Sequence, residues 1–174
     1  QYCVMCHNPG TTDANSGNVL TMATMVHKIH AGRLLAGAVG GEDYVIWGYG
    51  NSKHDYAEVG FPQDLRNCSR CHTASNPNTP QGDNWKTKVS KEACLTCHAS
   101  NTGSSWNVSH TTYFGGNNPK NMTNAQCVAC HNPTSNPTLS PERVHWNQNE
   151  ENAALYKMNI EDVTYTPSAT TGGT

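Results

Sequence analysis

Apolar bulk is the first thing this 174-residue chain lacks. It has 7 Leu, 3 Ile, 11 Val and 2 Phe, about 13% of its residues, under the ~20% below which a chain struggles to build a core of its own. Charge is scarce as well, at 14% of residues with a net of −2. That excludes a highly charged disordered chain and a basic nucleic-acid binder, so no nucleic-acid partner is expected. No run approaches the ~18 consecutive apolar residues of a membrane helix, so the chain is expected not to span a membrane. Only Gln1 and Tyr2 precede Cys3, which leaves no visible signal peptide. With 15 Gly and 9 Pro beside many Asn, Ser and Thr, a folded form needs something other than its own hydrocarbon in the middle.

What the chain does have is a cysteine pattern. All eight cysteines fall into four Cys-x-x-Cys pairs, and a histidine follows each pair directly. They are Cys3-Val-Met-Cys6-His7, Cys68-Ser-Arg-Cys71-His72, Cys94-Leu-Thr-Cys97-His98 and Cys127-Val-Ala-Cys130-His131. At the frequency of histidine in this chain, four trailing histidines arise by chance with a probability on the order of 10⁻⁵. Two four-cysteine zinc sites, a thioredoxin-like pair or random disulfides account for the thiols but not for the histidines. Cys-x-x-Cys-His is the attachment motif of c-type haem. The two thiols add to the porphyrin vinyl groups, and the histidine becomes the proximal iron ligand. Four covalently bound haems c would also supply the missing core, because each macrocycle is a large apolar plate.

Local sequence suits the motif turns. Thr123-Asn-Ala-Gln126 is a capping-box pattern before Cys127, and Ser90 is placed to cap the turn into Cys94. Asn8-Pro9 and Asn132-Pro133 stop a helix just after their histidines.

A six-coordinate haem iron needs a second axial ligand, histidine or methionine. Five histidines remain for four irons: His27, His30, His54, His110 and His145. The five methionines are therefore not required, and bis-histidine ligation is expected throughout. Leu20 to Ala31 has no proline or glycine and reads as a helix, with His27 and His30 one turn apart on one face. Two irons held there must lie close together, as electron hopping requires. Ser140 and Pro141 predict a short helix leading to His145. His110 stands in a Ser/Thr-rich stretch before Gly115-Gly116. His54 follows the strand-like Tyr44-Val-Ile-Trp47 in a polar loop and is the candidate surplus histidine.

Motif starts at 3, 68, 94 and 127 give spacings of 65, 26 and 33, so the chain is not a regular repeat array. The expected fold is mostly irregular, with short α-helices packed around four covalently attached haems and little β-structure, in a multihaem cytochrome c domain over residues 1–149. Residues 74–84 and 132–138 read as loops. Residues 150–174 read as a C-terminal linker, with a helical turn or two from Glu151 to Met158 and then the start of a β-strand over 159–166. That strand would lead into a β domain or be lent to a partner.

Several segments together resemble the outer-membrane decahaem cytochromes of the OmcA/MtrC family. They are Gln1-Tyr-Cys-Val-Met-Cys-His-Asn-Pro-Gly, Met25-Val-His-Lys-Ile-His-Ala-Gly, Phe61-Pro-Gln-Asp-Leu-Arg-Asn-Cys-Ser-Arg-Cys-His and Glu142-Arg-Val-His-Trp. The resemblance covers residues 1 to about 147 and implies the four-haem portion of a pentahaem domain. It places a further attachment motif upstream of Gln1 and a β domain after Thr174, neither of which is in this sequence. It implies proximal ligands His7, His72, His98 and His131, and distal ligands His27, His30, His110 and His145. It also implies a place on the outer face of a bacterial outer membrane, or secretion, after maturation in the periplasm. Implied partners are other multihaem cytochromes or an outer-membrane porin–cytochrome complex, with metal oxides, flavins or metal complexes as extracellular acceptors.

Three functions compete. An electron-transfer module, not an enzyme, needs every iron saturated, and the histidine supply allows that. A multihaem reductase of nitrite or hydroxylamine needs one open iron and a polar pocket, yet no Cys-x-x-Cys-Lys variant occurs and Lys and Arg total 11. A subunit of a haem-chain filament would use the surplus histidine to ligate a neighbour's haem by self-association. The balanced charge gives little electrostatic steering toward partners of either sign.

Overall fold

The computed structural model describes residues 2–37, 43–98, 110, 112, 118–146, 148–156 and 158–165. Regular structure in them comes as short pieces joined by turns: α1 Cys3–Cys6, α2 Met22–Gly37, β1 Val45–Trp47, β2 Lys53–Asp55, α3 Asn84–Thr87, α4 Lys91–His98, α5 Asn124–Cys130, α6 Pro141–Val144 and α7 Gln148–Leu155. The fold is thus mostly irregular with short helices, and among the described residues β-structure comes as one antiparallel strand pair and an isolated bridge between Thr12 and Val19.

Chain chemistry accounts for these boundaries. Thr123 closes a full capping box with Gln126 at the start of α5, its hydroxyl accepting the Gln126 N–H while the Gln126 side chain accepts the Thr123 N–H. Ser140 caps α6 with Pro141 in the first turn, as the sequence predicts. At α4 the Ser90 hydroxyl lies 3.5 Å from the Ala93 N–H, a long cap. Turns and one short 3-10 segment follow Asn132-Pro133.

Helix α2 runs beyond its expected end near Ala31, but it is broken at Gly32 (φ 16°, ψ −99°). The break accommodates a close crossing. A Cβ at Gly32 would meet the Tyr56 carbonyl oxygen and lie 2.7 Å from that of Val59, whose oxygen accepts the Arg33 N–H. The turn after β2 therefore lies directly on α2, and no larger residue fits.

Tyr44 pins the hairpin. It is 2% exposed, and its hydroxyl donates to the Val19 carbonyl at 2.6 Å. Burial pushes the phenol up to about 12, so it stays a donor at any physiological pH. The 11–20 loop is held to the hairpin by Asp13, which accepts N–H groups from Ser16 and Trp47 at 2.7 Å each. Asn18 adds a bond to the Val45 carbonyl.

Apolar burial is as sparse as the composition implies. Among the described residues only Ala31, Leu35, Tyr44, Val89 and Met122 are buried hydrophobics. Helix α2 packs on α4 with buried Thr96 on the latter, and Lys86–Glu142 (3.1 Å) ties α3 to α6.

Two sequence expectations change. His54 lies in β2, paired with Ile46, and not in a loop. Its alternation was masked because the neighbouring Lys53 and Asp55 are as polar as loop residues. Residues 158–165 carry no regular element and are exposed; a strand there has no ladder partner among the described residues, and residue 166 lies outside them. The stretch around His110, with Gly115-Gly116, also lies largely outside the described residues.

Candidate haem-binding site

Each attachment motif folds as a single turn. The N–H of the trailing histidine donates to the carbonyl of the first cysteine in three of them: His7 to Cys3 (2.9 Å), His72 to Cys68 and His131 to Cys127 (2.8 Å each). The fourth, Cys94 to His98, lies inside α4. Cysteines at i and i+3 therefore share one face, with the imidazole just beyond them. All eight cysteines are free thiols. Cys3, Cys6 and Cys71 are exposed, and the other five are half-buried. Burial pushes the thiols of Cys68, Cys97 and Cys127 up, and that of Cys94 to about 11. Among the described residues no cluster of three or more metal-ligating side chains exists, which removes the four-cysteine zinc alternative there.

The histidines provide the main geometric result. Three pairs of rings from distant segments face each other at nearly one separation. His27 and His72 lie 6.0 Å apart between centroids, His98 and His145 6.2 Å, and His110 and His131 6.1 Å. The His27–His72 and His110–His131 ring planes are 28° and 12° from parallel, and the His98–His145 rings are tilted by 56°. Two imidazoles bound through Nε2 to one first-row metal at ~2.0–2.1 Å have centroids about 6–6.5 Å apart. Each pair joins one motif histidine to one non-motif histidine.

The other ring nitrogen is committed. Nδ1 lies 2.9 Å from the Leu20 carbonyl in His7, 2.7 Å from Ala23 in His27 and 2.8 Å from Val26 in His30. It lies 2.7 Å from Leu139 in His131 and 2.9 Å from Pro141 in His145. A carbonyl only accepts, so Nδ1 carries the proton and Nε2 keeps a lone pair for a metal. Burial lowers the pKa of His27 and of His98, and neighbouring histidines lower both further. The neutral, ligating form is thereby favoured. His98 senses His110 and His131 as well as His145, so two of the facing pairs are neighbours.

His54 differs from these. Its Nε2 is engaged by the Ser52 hydroxyl at 3.0 Å on an exposed strand. His7 and His30 share the committed Nδ1, but among the described residues no second histidine ring faces either. His30 meets Phe61 edge-on at 5.5 Å.

Some positioning groups were not evident from the sequence. The helical carbonyls of Ala23, Val26 and Pro141 follow from an i−4 spacing. Those of Leu20 and Leu139 depend on loop course, as does Trp85, whose indole N–H donates to the His72 carbonyl.

Paired free thiols on single turns, followed by imidazoles facing partners at a metal-bridging distance, fit haem c. Together with the fold they point to a multihaem cytochrome of the c type. The chain belongs to the outer membrane cytochrome MtrC/MtrF-like family, whose model for domains II/IV matches residues 1–146. It is similar to the crystal structure of the outer membrane decaheme cytochrome OmcA, with a TM-score of 0.57 and 28% identity. That match covers 83% of this chain and 20% of the other, so the chain spans about a fifth of that protein's length. A search of curated proteins finds no match. Among the described residues no helix is long and apolar enough to cross a membrane.

Proposed function

We propose that this chain is an electron-transfer module that holds four covalent haems c through Cys3/Cys6, Cys68/Cys71, Cys94/Cys97 and Cys127/Cys130. His7, His72, His98 and His131 are the proximal ligands in this reading. His27, His145 and His110 are the distal ligands facing the last three of these. The observation that carries the reading is the set of three facing pairs at 6.0–6.2 Å.

Haem, when bound, supplies a one-electron iron couple. The residues supply geometry and dryness. Nδ1 bonds to backbone carbonyls hold the rings of His7, His27, His131 and His145 in one orientation and raise the basicity of Nε2. Two histidine ligands favour a lower potential than a histidine–methionine set. Placing His27 and His30 one turn apart on α2 brings their iron positions within hopping reach, and the pairs at His98 and His131 adjoin each other.

Residues 1–149 form the haem-bearing unit in this reading, and 150–174 a linker with a strand to lend. Electrons pass toward extracellular acceptors such as metal oxides, flavins or metal complexes, at the outer face of the outer membrane. Delivery is from other multihaem cytochromes or a porin–cytochrome complex. A reductase reading draws only on His7, which has no facing ring among the described residues.

Protein-film voltammetry on the holoprotein tests this. Reversible low-potential waves, unchanged by nitrite or hydroxylamine, are expected. A catalytic current on either substrate would overturn the carrier reading in favour of a reductase.

A further inference from the structure

The loop between the first attachment motif and α2 is held more firmly than its composition suggests. Residues 13–19 read Asp-Ala-Asn-Ser-Gly-Asn-Val, with no large apolar side chain except Val19, yet Asp13 is only 5% exposed. Its two carboxylate oxygens do different jobs. Oδ1 gathers the loop itself, accepting the Asn15 N–H at 2.9 Å, the Ser16 N–H at 2.7 Å and the Ser16 hydroxyl at 3.0 Å. Oδ2 reaches outside the loop and accepts the Trp47 N–H at 2.7 Å. A carboxylate offers acceptors only, and these donors offset the cost of burying its charge.

The clasp sits on the open edge of the hairpin. Ladder bonds join Tyr56 to Tyr44 and Gly48 to Ser52, so the backbone groups of Val45 and Trp47 face away from β2. The loop covers that edge: Asp13 takes the Trp47 N–H, and the Asn18 side chain donates to the Val45 carbonyl at 2.7 Å. Tyr44 adds its bond to the Val19 carbonyl. From there the chain runs directly to the first motif. The Leu20 N–H donates to the Thr11 carbonyl at 2.8 Å, and the Leu20 carbonyl oxygen lies 2.9 Å from Nδ1 of His7. For His27, His30 and His145 the matching acceptor is a carbonyl four residues back in the same helical turn, which no distant residue has to place. For His7 it stands at the end of a polar loop that buries little of its own, so its aim depends on what holds the loop.

We propose that Asp13 is a positioning residue for the iron attached at Cys3, Cys6 and His7: by clasping the loop to the open edge of β1 it fixes the Leu20 carbonyl on Nδ1 of His7, and so sets the potential of that iron. An acceptor on Nδ1–H makes Nε2 the stronger donor, which favours the ferric state and lowers the potential. A slack loop should therefore raise it. The inference rests on the haem reading proposed above.

Holoprotein shown by mass to carry four haems is titrated potentiometrically with optical detection. The potential belonging to the His7 iron is the one missing from Cys3→Ala/Cys6→Ala/His7→Ala. Asp13→Asn keeps one acceptor oxygen but sets an amide NH2 against an N–H donor, so the clasp opens on one side. Tyr44→Phe removes the tie at Val19 without touching a carboxylate, and it carries the test alone where Asp13→Asn does not fold. Each variant is expected to raise the potential of the His7 iron and to move the other three less. The expected size is up to about tenfold in the ferrous-to-ferric ratio at a fixed electrode potential, about 59 mV for one electron. Thr123→Ala, which weakens a helix cap at another motif, controls for general loss of stability and should leave that potential unchanged. An unchanged potential in the folded variants would overturn the proposal. So would an equal rise in Thr123→Ala, because the role of Asp13 would then be merely structural. Fewer than four haems in the parent would overturn the haem reading itself, and the mass reveals that before any potential is read.

Discussion

His110 and His131 face each other with ring centroids 6.1 Å apart and planes only 12° from parallel. One comes from a segment with no pattern of its own, the other from an attachment motif whose Nδ1 is bonded to the Leu139 carbonyl. If they share an iron, His110→Ala leaves one haem five-coordinate. One high-spin ferric signal should appear above the background of the parent protein, and exogenous imidazole should remove it.

His54→Ala makes the contrasting case. With Nε2 on Ser52 and the ring exposed on β2, its loss should leave the spin-state distribution and the haem absorbance unchanged. A new high-spin signal in this variant would mean that the ring turns to an iron once haem is present.

Thr123→Ala removes one half of the capping box that starts α5. The expected loss is about 1 kcal/mol of stability, read as a lower denaturation midpoint. The haem count should not change, because the cap lies a turn away from Cys127.

Gly32→Ala places a methyl group against the carbonyls of Tyr56 and Val59. The crossing must open, at a cost on the order of 1–3 kcal/mol. The same movement reshapes the groove beside His30, and the denaturation midpoint should fall.

Asp13 sets a pH limit on the loop before α2. N–H donors from Ser16, then Trp47, hold its carboxyl below the ordinary carboxylate range. A depressed folded value adds stability above the unfolded pKa of ~3.9 and loses it as pH falls through the folded value. Acid unfolding as pH falls below about 4 should therefore be steeper in the parent than in Asp13→Asn, which is less stable at neutral pH.

The local pieces of the candidate site were legible in the sequence because c-type haem attachment, as proposed for this chain, needs residues at fixed local spacings. The four motifs, the His27/His30 turn, the Thr123 box and the Ser140-Pro141 start are all short-range patterns, and the structure forms them as such. The shortage of hydrocarbon foretold an interior with few buried side chains, and Ala31, Leu35 and Val89 are among the few present. The partners of those local pieces were not legible. Nothing near His145 in sequence announces His98, because that meeting depends on the path of an irregular chain. The break at Gly32 was hidden for a similar reason: only the approach of the 56–59 turn makes a side chain impossible there. His54 misled because a three-residue strand of polar residues carries no alternation to see.

The central claim is that the eight thiols and four trailing histidines hold four covalent haems. Denaturing mass spectrometry of protein matured in a host competent for c-type cytochromes tests it most directly, with absorbance read on the same denatured sample. The account predicts the chain mass plus four haems, none released by acid and organic solvent, and no thiol left to alkylate. A chain at its bare mass with eight alkylatable cysteines, or with zinc in place of porphyrin, would contradict it.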